Sequence, residues 1–420
     1  MPASGAESVR EYDGGVPVGA ASAFGFGRSW FRLTSALRGA VVPACFPESV
    51  REEYVEYQLW DTLQAVCSYI RGIICTSALL EAAGVGSTEA NALAAAVFWV
   101  VRDGFGMVGS LIFSCFVGTS FDSRVKQWRL FADVINDVGL CLDVLAPLFK
   151  ANANALLAVT SIAATCKTMC GTTAGATKSV ISAHLATRQN FGDVAAKEGA
   201  QETAVTLFGL GCGWLVLRSS GSLETSPLQL RLVFALLTAV HVYANWRGVR
   251  CLRLATINAT RAHLLIDAFF FDKASISREA VARREAIFSL HHRERDITLG
   301  VPLSQLGADT KTLRSCAPER YELRAFARAG RTTVRVALRV DAAPVDELRA
   351  LVHARLVDGT GAVVAAQREM TKGFDGFLRA LEDQGWDVRR PLLDAGAFRY
   401  ELGPAAPAAV SIRNVHSKNV

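Results

Sequence analysis

Charge is scarce in this 420-residue chain: Asp, Glu, Lys and Arg together make up 20% of it, while apolar residues reach 51% and the mean hydropathy is +0.25. Ordinary globular domains carry about 25% charged residues, so a disordered or low-complexity protein is excluded. Charge of one sign is also missing in bulk. The net +6 is too mild to argue for a nucleic-acid partner. None of the ten cysteines forms a C-x-x-C pair, which excludes a spaced zinc site and favours buried, reduced thiols in a reducing compartment. Cys166 and Cys170 stand one helical turn apart and lack partner ligands nearby in sequence. No Walker loop, nucleophile elbow or H-E-x-x-H is present, so the chain reads as a non-enzyme with no resident metal or cofactor. An apolar leader with a cleavage site is lacking as well.

What is present is a long apolar stretch, residues 55 to 271, broken by Gly, Pro and polar punctuation. Its pattern predicts helices near 49 to 83, 88 to 118, 126 to 148, 152 to 186, 191 to 218 and 228 to 271, with breaks allowed inside the longest. Gly84-Val85-Gly86-Ser87 reads as a turn and cap, Pro147 as a helix end and Pro227 as a helix start. A spanning helix needs about 20 largely apolar residues. The longest run without a formal charge, 104 to 121, has 18. Small-residue spacings at Gly171/Gly175 and Gly209/Gly213 suit close helix approach in lipid, as they would suit a tight soluble bundle. The hydropathy favours membrane insertion over the soluble alternative. Gly104-Phe105-Gly106-Met107-Val108-Gly109 matches a dinucleotide fingerprint, but its surroundings are helical, so the glycines read as a thinned helix face.

The domain organisation expected is a tail over 1–43, a helical domain over 44–271, a charged linker or helix over 272–296, a small α+β domain over 297–402 and a tail over 403–420. The fold class is therefore mainly α, a multi-helix and membrane-embedded bundle followed by that α+β domain. His291-His292 within the linker reads as a surface pair. Val334, Val336, Leu338 and Val340 alternate with polar or small residues and predict a strand, with 321–327 as its hairpin partner across Ala329-Gly330-Arg331. Pro344 opens a helix with Val345, Leu348, Leu351, Val352 and Leu356 on one face; Phe374, Phe377, Leu378 and Leu381 mark a second, and Phe398 to Leu402 a further strand.

Polar residues set into the apolar part are the candidate site. Asp133, Asn136 and Asp137 share one helical face. His184 with Arg188, Asp193 with Lys197, Lys197 with Gln201, and Glu198 with Glu202 are four apart. In lipid or a dry core such ions must pair or line a cavity. Two readings stand: pairing that fixes helix register, or a cavity for a small anionic metabolite lined by these residues and Lys178. Pyridoxal phosphate would suit the cavity, with Lys178 and Arg188 meeting its phosphate.

Several strings, taken in order, carry a family resemblance: Phe46-Pro47-Glu48-Ser49-Val50, Tyr54 to Asp61, Gly84-Val85-Gly86, Arg102 to Met107, Lys126 to Asp133 and Ala195 to Thr203. Together they resemble the root UVB sensitive family over about 44 to 270, with a weaker continuation through Leu299 to Leu303 and Gly385-Trp386-Asp387. Lys178 stands where the family usually has Arg, and Ala195 and Ala200 where it usually has Ser. The resemblance implies a membrane-associated protein linked to vitamin B6 homeostasis and the UV-B response, acting with itself or another family member as partner, and plastid-linked in a photosynthetic organism. It implies no catalytic residues.

Overall fold

The computed structural model describes residues 12–13, 16–17, 38–84, 92–117, 120–220, 227–287, 296–307, 319–328, 331–360, 362–401 and 411–414. Six long helices follow one another: α1 (Tyr54–Ala82), α2 (Ala92–Val117), α3 (Val125–Leu145), α4 (Ala153–Leu185), α5 (Phe191–Ser220) and α6 (Pro227–Cys251). Their limits follow local chemistry. Asn152 caps α4 by accepting from the amides of Asn154 and Ala155, both at 3.1 Å. α1 ends beside Gly84, whose φ of +74° a side chain would disfavour. Pro227 occupies the first position of α6, where its missing amide costs nothing.

α4 packs chiefly on α2 and α3, α1 on α5 and α6, and α3 joins the two groups. Close approach depends on glycine. A Cβ at Gly109 of α2 would lie 2.4 Å from the Thr165 methyl of α4, and one at Gly209 of α5 would lie 2.7 Å from Tyr69 of α1. Gly106 and Gly109 of the G-x-G-x-x-G string thus form a helix-packing face, while Gly104, Gly171 and Gly175 meet nothing within 4 Å. All of α1, α2, α4, α5 and α6 contain segments long and apolar enough to cross a membrane; α3 is not among them.

One end of the bundle gathers the starts of α1, α3 and α5 with the ends of α4 and α6. Val50 bridges to Ala186, Ala44 donates to Asp193 at 2.7 Å, and Arg253 pairs with Glu52 at 3.1 Å. The C-terminal module sits on this end, where Asp394 accepts from Ser123 and Arg124, both at 2.8 Å.

That module begins earlier than its composition indicates. The helix expected to run from 228 to 271 stops at Cys251, and the chain re-forms as β1 (Thr256–Asn258), α7 (Ala259–Ile266) and a π-helical turn, Asp267–Asp272. Asn258 marks the far side of the break. Its extended backbone ends the strand, and its side chain caps α7 by accepting from the Arg261 amide at 2.9 Å. Ile257, Leu265, Ile266 and Phe270 then enter the same core as Val334, Val336 and Leu338. The segment after 272 is also less solvated than its charge implies. Ile276, Val281, Ala282, Glu285 and Ile287 are buried around α8 (Arg278–Arg284). His291 and His292, like 85–91 with the expected cap at Ser87, lie outside the described residues.

Strands β2 (Ile297–Leu299), β3 (Tyr321–Arg328), β4 (Arg331–Arg339), β5 (Asp387–Leu392) and β6 (Phe398–Glu401) complete the module with helices α9 (Pro344–Thr360) and α10 (Val363–Asp383). β4 is central: antiparallel to β3 in the expected hairpin, with Arg328 opposite Arg331, and parallel to β2 and β6. β5 pairs parallel with β1. The expected faces are buried, with Leu348, Leu351, Leu356, Phe374, Phe377 and Leu381 against the sheet core.

Candidate functional site

α3 places charge inside the bundle. Lys126, Arg129, Asp133, Asp137 and Asp143 are all buried on it, and each has an opposite charge within reach. Arg71 of α1, fully buried, donates to Asp137 at 2.5 Å and to Thr238 of α6 at 3.1 Å. His241 of α6 brings Nδ1 to 3.1 Å from the other Asp137 oxygen, and Asn245 lies one turn beyond. Arg129 bridges Asp61 of α1 at 3.0 Å and Asp133 at 3.7 Å. Lys167 of α4 pairs with Asp143, which Arg102 of α2 approaches at 3.9 Å. A seam of ion pairs therefore ties α3 to α1, α2, α4 and α6. Unpaired, each such charge would cost several kcal/mol in a dry interior. Beside Tyr57, Asp61, Arg129 and Asn245 the seam leaves about 10 Å³, room for about one water.

The residues singled out from the sequence divide into groups. Asp133 and Asp137 belong to the seam, with Asn136 half-buried beside them. Glu198 is buried between α4 and α5, accepting from Gln58 at 2.7 Å and from the Ser182 hydroxyl, while Lys178 pairs with Glu202 further out. His184 lies 2.9 Å from Glu53 at the end of α4. Asp193 holds the Ala44 amide and faces Lys197 at 3.8 Å; Gln201 donates to the Val41 carbonyl at 2.5 Å. Arg188 is exposed in the connection between α4 and α5. Among the described residues these groups stand as separate clusters, and of them Gln201 lines the cleft beside residues 41–46. Lys178 is already engaged by Glu202.

Open volume lies instead where the bundle meets the C-terminal module. A cleft of about 390 Å³ is lined by Arg51, Glu52, Glu53, Thr187, Arg253, Ser277, Arg278 and Gln384, among others. Burial there raises the Glu53 carboxyl, but hydrogen bonding to His184, with help from the Arg253 amide, outweighs it and holds Glu53 down at about 2. Arg51 is lowered from its usual value by burial and by the like charge of Arg278. A second cleft of about 410 Å³, largely apolar, runs between residues 41–46 and α1 and α5. At the module's inner edge Glu285 accepts Lys126 at 2.8 Å and Arg261 at 2.9 Å; burial raises this carboxyl, and the two cations carry it below the usual range.

Sequence reasoning passed over Arg71, Arg129, His241, Asp143 and the cleft arginines. The usable signal was Arg71, a lone cation in the otherwise uncharged stretch 62–80, and His241, the one His, Asp, Glu, Lys or Arg in 232–246. An isolated polar group of this kind needs a partner on another helix.

Residues 27–273 match the family model described as a vitamin B6 photo-protection and homoeostasis domain, and residues 274–363 match the C-terminal model of root UVB sensitive proteins. Protein root UVB sensitive 3 of Arabidopsis thaliana is 33% identical over 396 residues, covering 90% of this chain and 88% of that protein. RUS family member 1 of Dictyostelium discoideum is 38% identical over 63% of this chain and 50% of its own length. The chloroplastic root UVB sensitive 2 of Arabidopsis thaliana is 30% identical over 57% of this chain and 53% of its own. No solved structure matches. With both family models matched in sequence order and a relative aligned along nine-tenths of the chain, this protein belongs to the root UVB sensitive family.

Proposed function

We propose that the protein is a membrane-embedded, non-catalytic member of its family that serves vitamin B6 homeostasis by binding a small anionic metabolite of the pyridoxal phosphate type. One observation carries the membrane part. In α2 and α5 only 11% of the most apolar window is buried within the fold. Leu93, Val100, Leu111 and Phe116 of α2 and Leu207, Phe208 and Trp214 of α5 face outward, each more than half exposed. Leaving such a side chain in water forgoes about 1.5–3 kcal/mol relative to burial, and apolar patches of this extent mark a lipid or protein contact. The seam supports the same reading from inside, since its charges are paired away from that surface.

The metabolite part rests on the description of the matched family model and on the arginine-lined cleft at the water-facing end. In a photosynthetic host the membrane would be that of a plastid, in keeping with the chloroplastic relative. Alkaline carbonate fractionation tests the membrane reading. Retention in the pellet until detergent is added is expected, and release by carbonate alone would refute it.

A further inference from the structure

From the geometry of the junction cleft we infer a phosphate-binding site in which the guanidinium groups of Arg51 and Arg278 clamp a phosphate monoester. This deepens the reading above by giving the metabolite's phosphate a place, and it moves that place away from Lys178 and Arg188.

Carboxylates account for the other charges of the cleft. Glu52 pairs with Arg253 at 3.1 Å, Glu279 with Arg283 at 2.6 Å, and Glu53 is held by His184 and by the Arg253 amide at 3.2 Å. Arg51 and Arg278 remain. Neither has a carboxylate within ion-pairing distance among the described residues, although both line the same cleft. Arg51 is fixed by donating Nε to the His184 carbonyl at 2.5 Å, which leaves its terminal nitrogens free of that bond. The Arg278 guanidinium lies beside Gly385, where a Cβ would meet it in ordinary contact at 3.8 Å. The two cations repel, and Glu53 offsets this only in part at Arg51, so an anion shared between them would stabilise the arrangement. The four terminal N–H donors of Arg51, with the guanidinium fork of Arg278, match phosphate oxygens in shape. The volume, about 390 Å³, admits a small phosphate ester.

The source could be soluble or lipid, and the arms of the test separate these. Purified full-length protein in detergent would be titrated with pyridoxine 5′-phosphate, which has no aldehyde to react with lysines, with unphosphorylated pyridoxine, and with short-chain phosphatidic acid. Binding of a phosphorylated probe but not of pyridoxine is expected, competed by inorganic phosphate and weakened at least tenfold in Arg278→Glu. Arg278 has no ion pair to lose, so this variant should fold; an unchanged elution profile and melting curve check that. Arg51→Lys should weaken binding less than Arg51→Ala. Binding of phosphatidic acid in preference to pyridoxine 5′-phosphate keeps the clamp and overturns the metabolite reading. Pyridoxine 5′-phosphate binding that is unchanged in Arg278→Glu and Arg51→Ala keeps the metabolite reading and overturns the clamp. Absence of binding by every phosphorylated probe overturns both.

Discussion

Replacing Arg71 by Met tests whether the seam holds the bundle together. The wild-type side chain is fully buried, donates to Asp137 and Thr238, and lies 5.9 Å from the Phe234 ring. Methionine keeps much of the volume and deletes the charge, so Asp137 loses its cation and retains only His241. Removing one partner of a buried pair costs about 3–5 kcal/mol, chiefly because the other charge stays desolvated. At 2–4 °C per kcal/mol for a unit of about 200 residues, the melting temperature should fall by roughly 6–20 °C. The double variant Arg71→Met/Asp137→Leu removes both charges and should recover most of that loss, since apolar replacement of a whole buried pair is often near neutral. Thermal unfolding of the detergent-solubilised single and double variants measures the coupling, expected at about 2–3 kcal/mol. An unchanged melting temperature for Arg71→Met, or losses that merely add in the double variant, would refute the seam as the element that pairs α1, α3 and α6.

Three other outcomes follow from particular contacts. Gly109→Leu drives a side chain into Thr165 and should destabilise by about 1–3 kcal/mol, whereas Gly171→Ala, with nothing within 4 Å, should be neutral or stabilise by about 0.5–1 kcal/mol; paired melting curves decide. Glu53, whose ordinary value is 4.5 and whose folded value is about 2, favours the fold when ionised. Its contribution is complete above 4.5 and fades as pH falls toward 2, so Glu53→Gln should flatten the acid limb of a stability–pH curve, and an identical limb would contradict the assignment. Glu285→Gln leaves Lys126 and Arg261 without their shared carboxylate, which should loosen the module from the bundle; limited proteolysis between 252 and 287 should accelerate.

Helix positions were legible because each apolar run is bounded by a cap or breaker with its own chemistry. Pro227 acts where the pattern places it, and the expected limits of α2 to α5 differ from the observed ones by a few residues. The hairpin of β3 and β4 and the buried faces of α9 and α10 were legible for the same reason, a period of 2 or 3.6 that burial reproduces. The break at 252–258 was not. Leu252, Leu254 and Ile257 are as apolar as the helix before them, and only tertiary pairing of Thr256–Asn258 with β5, more than 100 residues on, makes them extended. Pairing across helices was equally hidden. Arg71 and Asp137 are 66 positions apart, and the one-turn spacings on α4 and α5 pointed at neighbours along a helix, whereas Glu198 bonds to Gln58 and Ser182 on other helices. The junction cleft is assembled from five stretches of chain, between 50 and 384, that share no motif.

The orientation of the bundle, apolar faces outward and ion pairs within, is tested most directly by thiol accessibility in native membranes. With Cys115 replaced by Ser, Val108→Cys on α2 and Leu207→Cys on α5 put thiols at the middle of the two outward faces, while the exposed Cys45 marks the water-facing end. In opened membrane fragments a membrane-impermeant maleimide should modify Cys45 and leave both introduced thiols untouched until the protein is denatured. Labelling at 108 and 207 as fast as at Cys45 would mean that these faces meet water, which contradicts a membrane-embedded bundle.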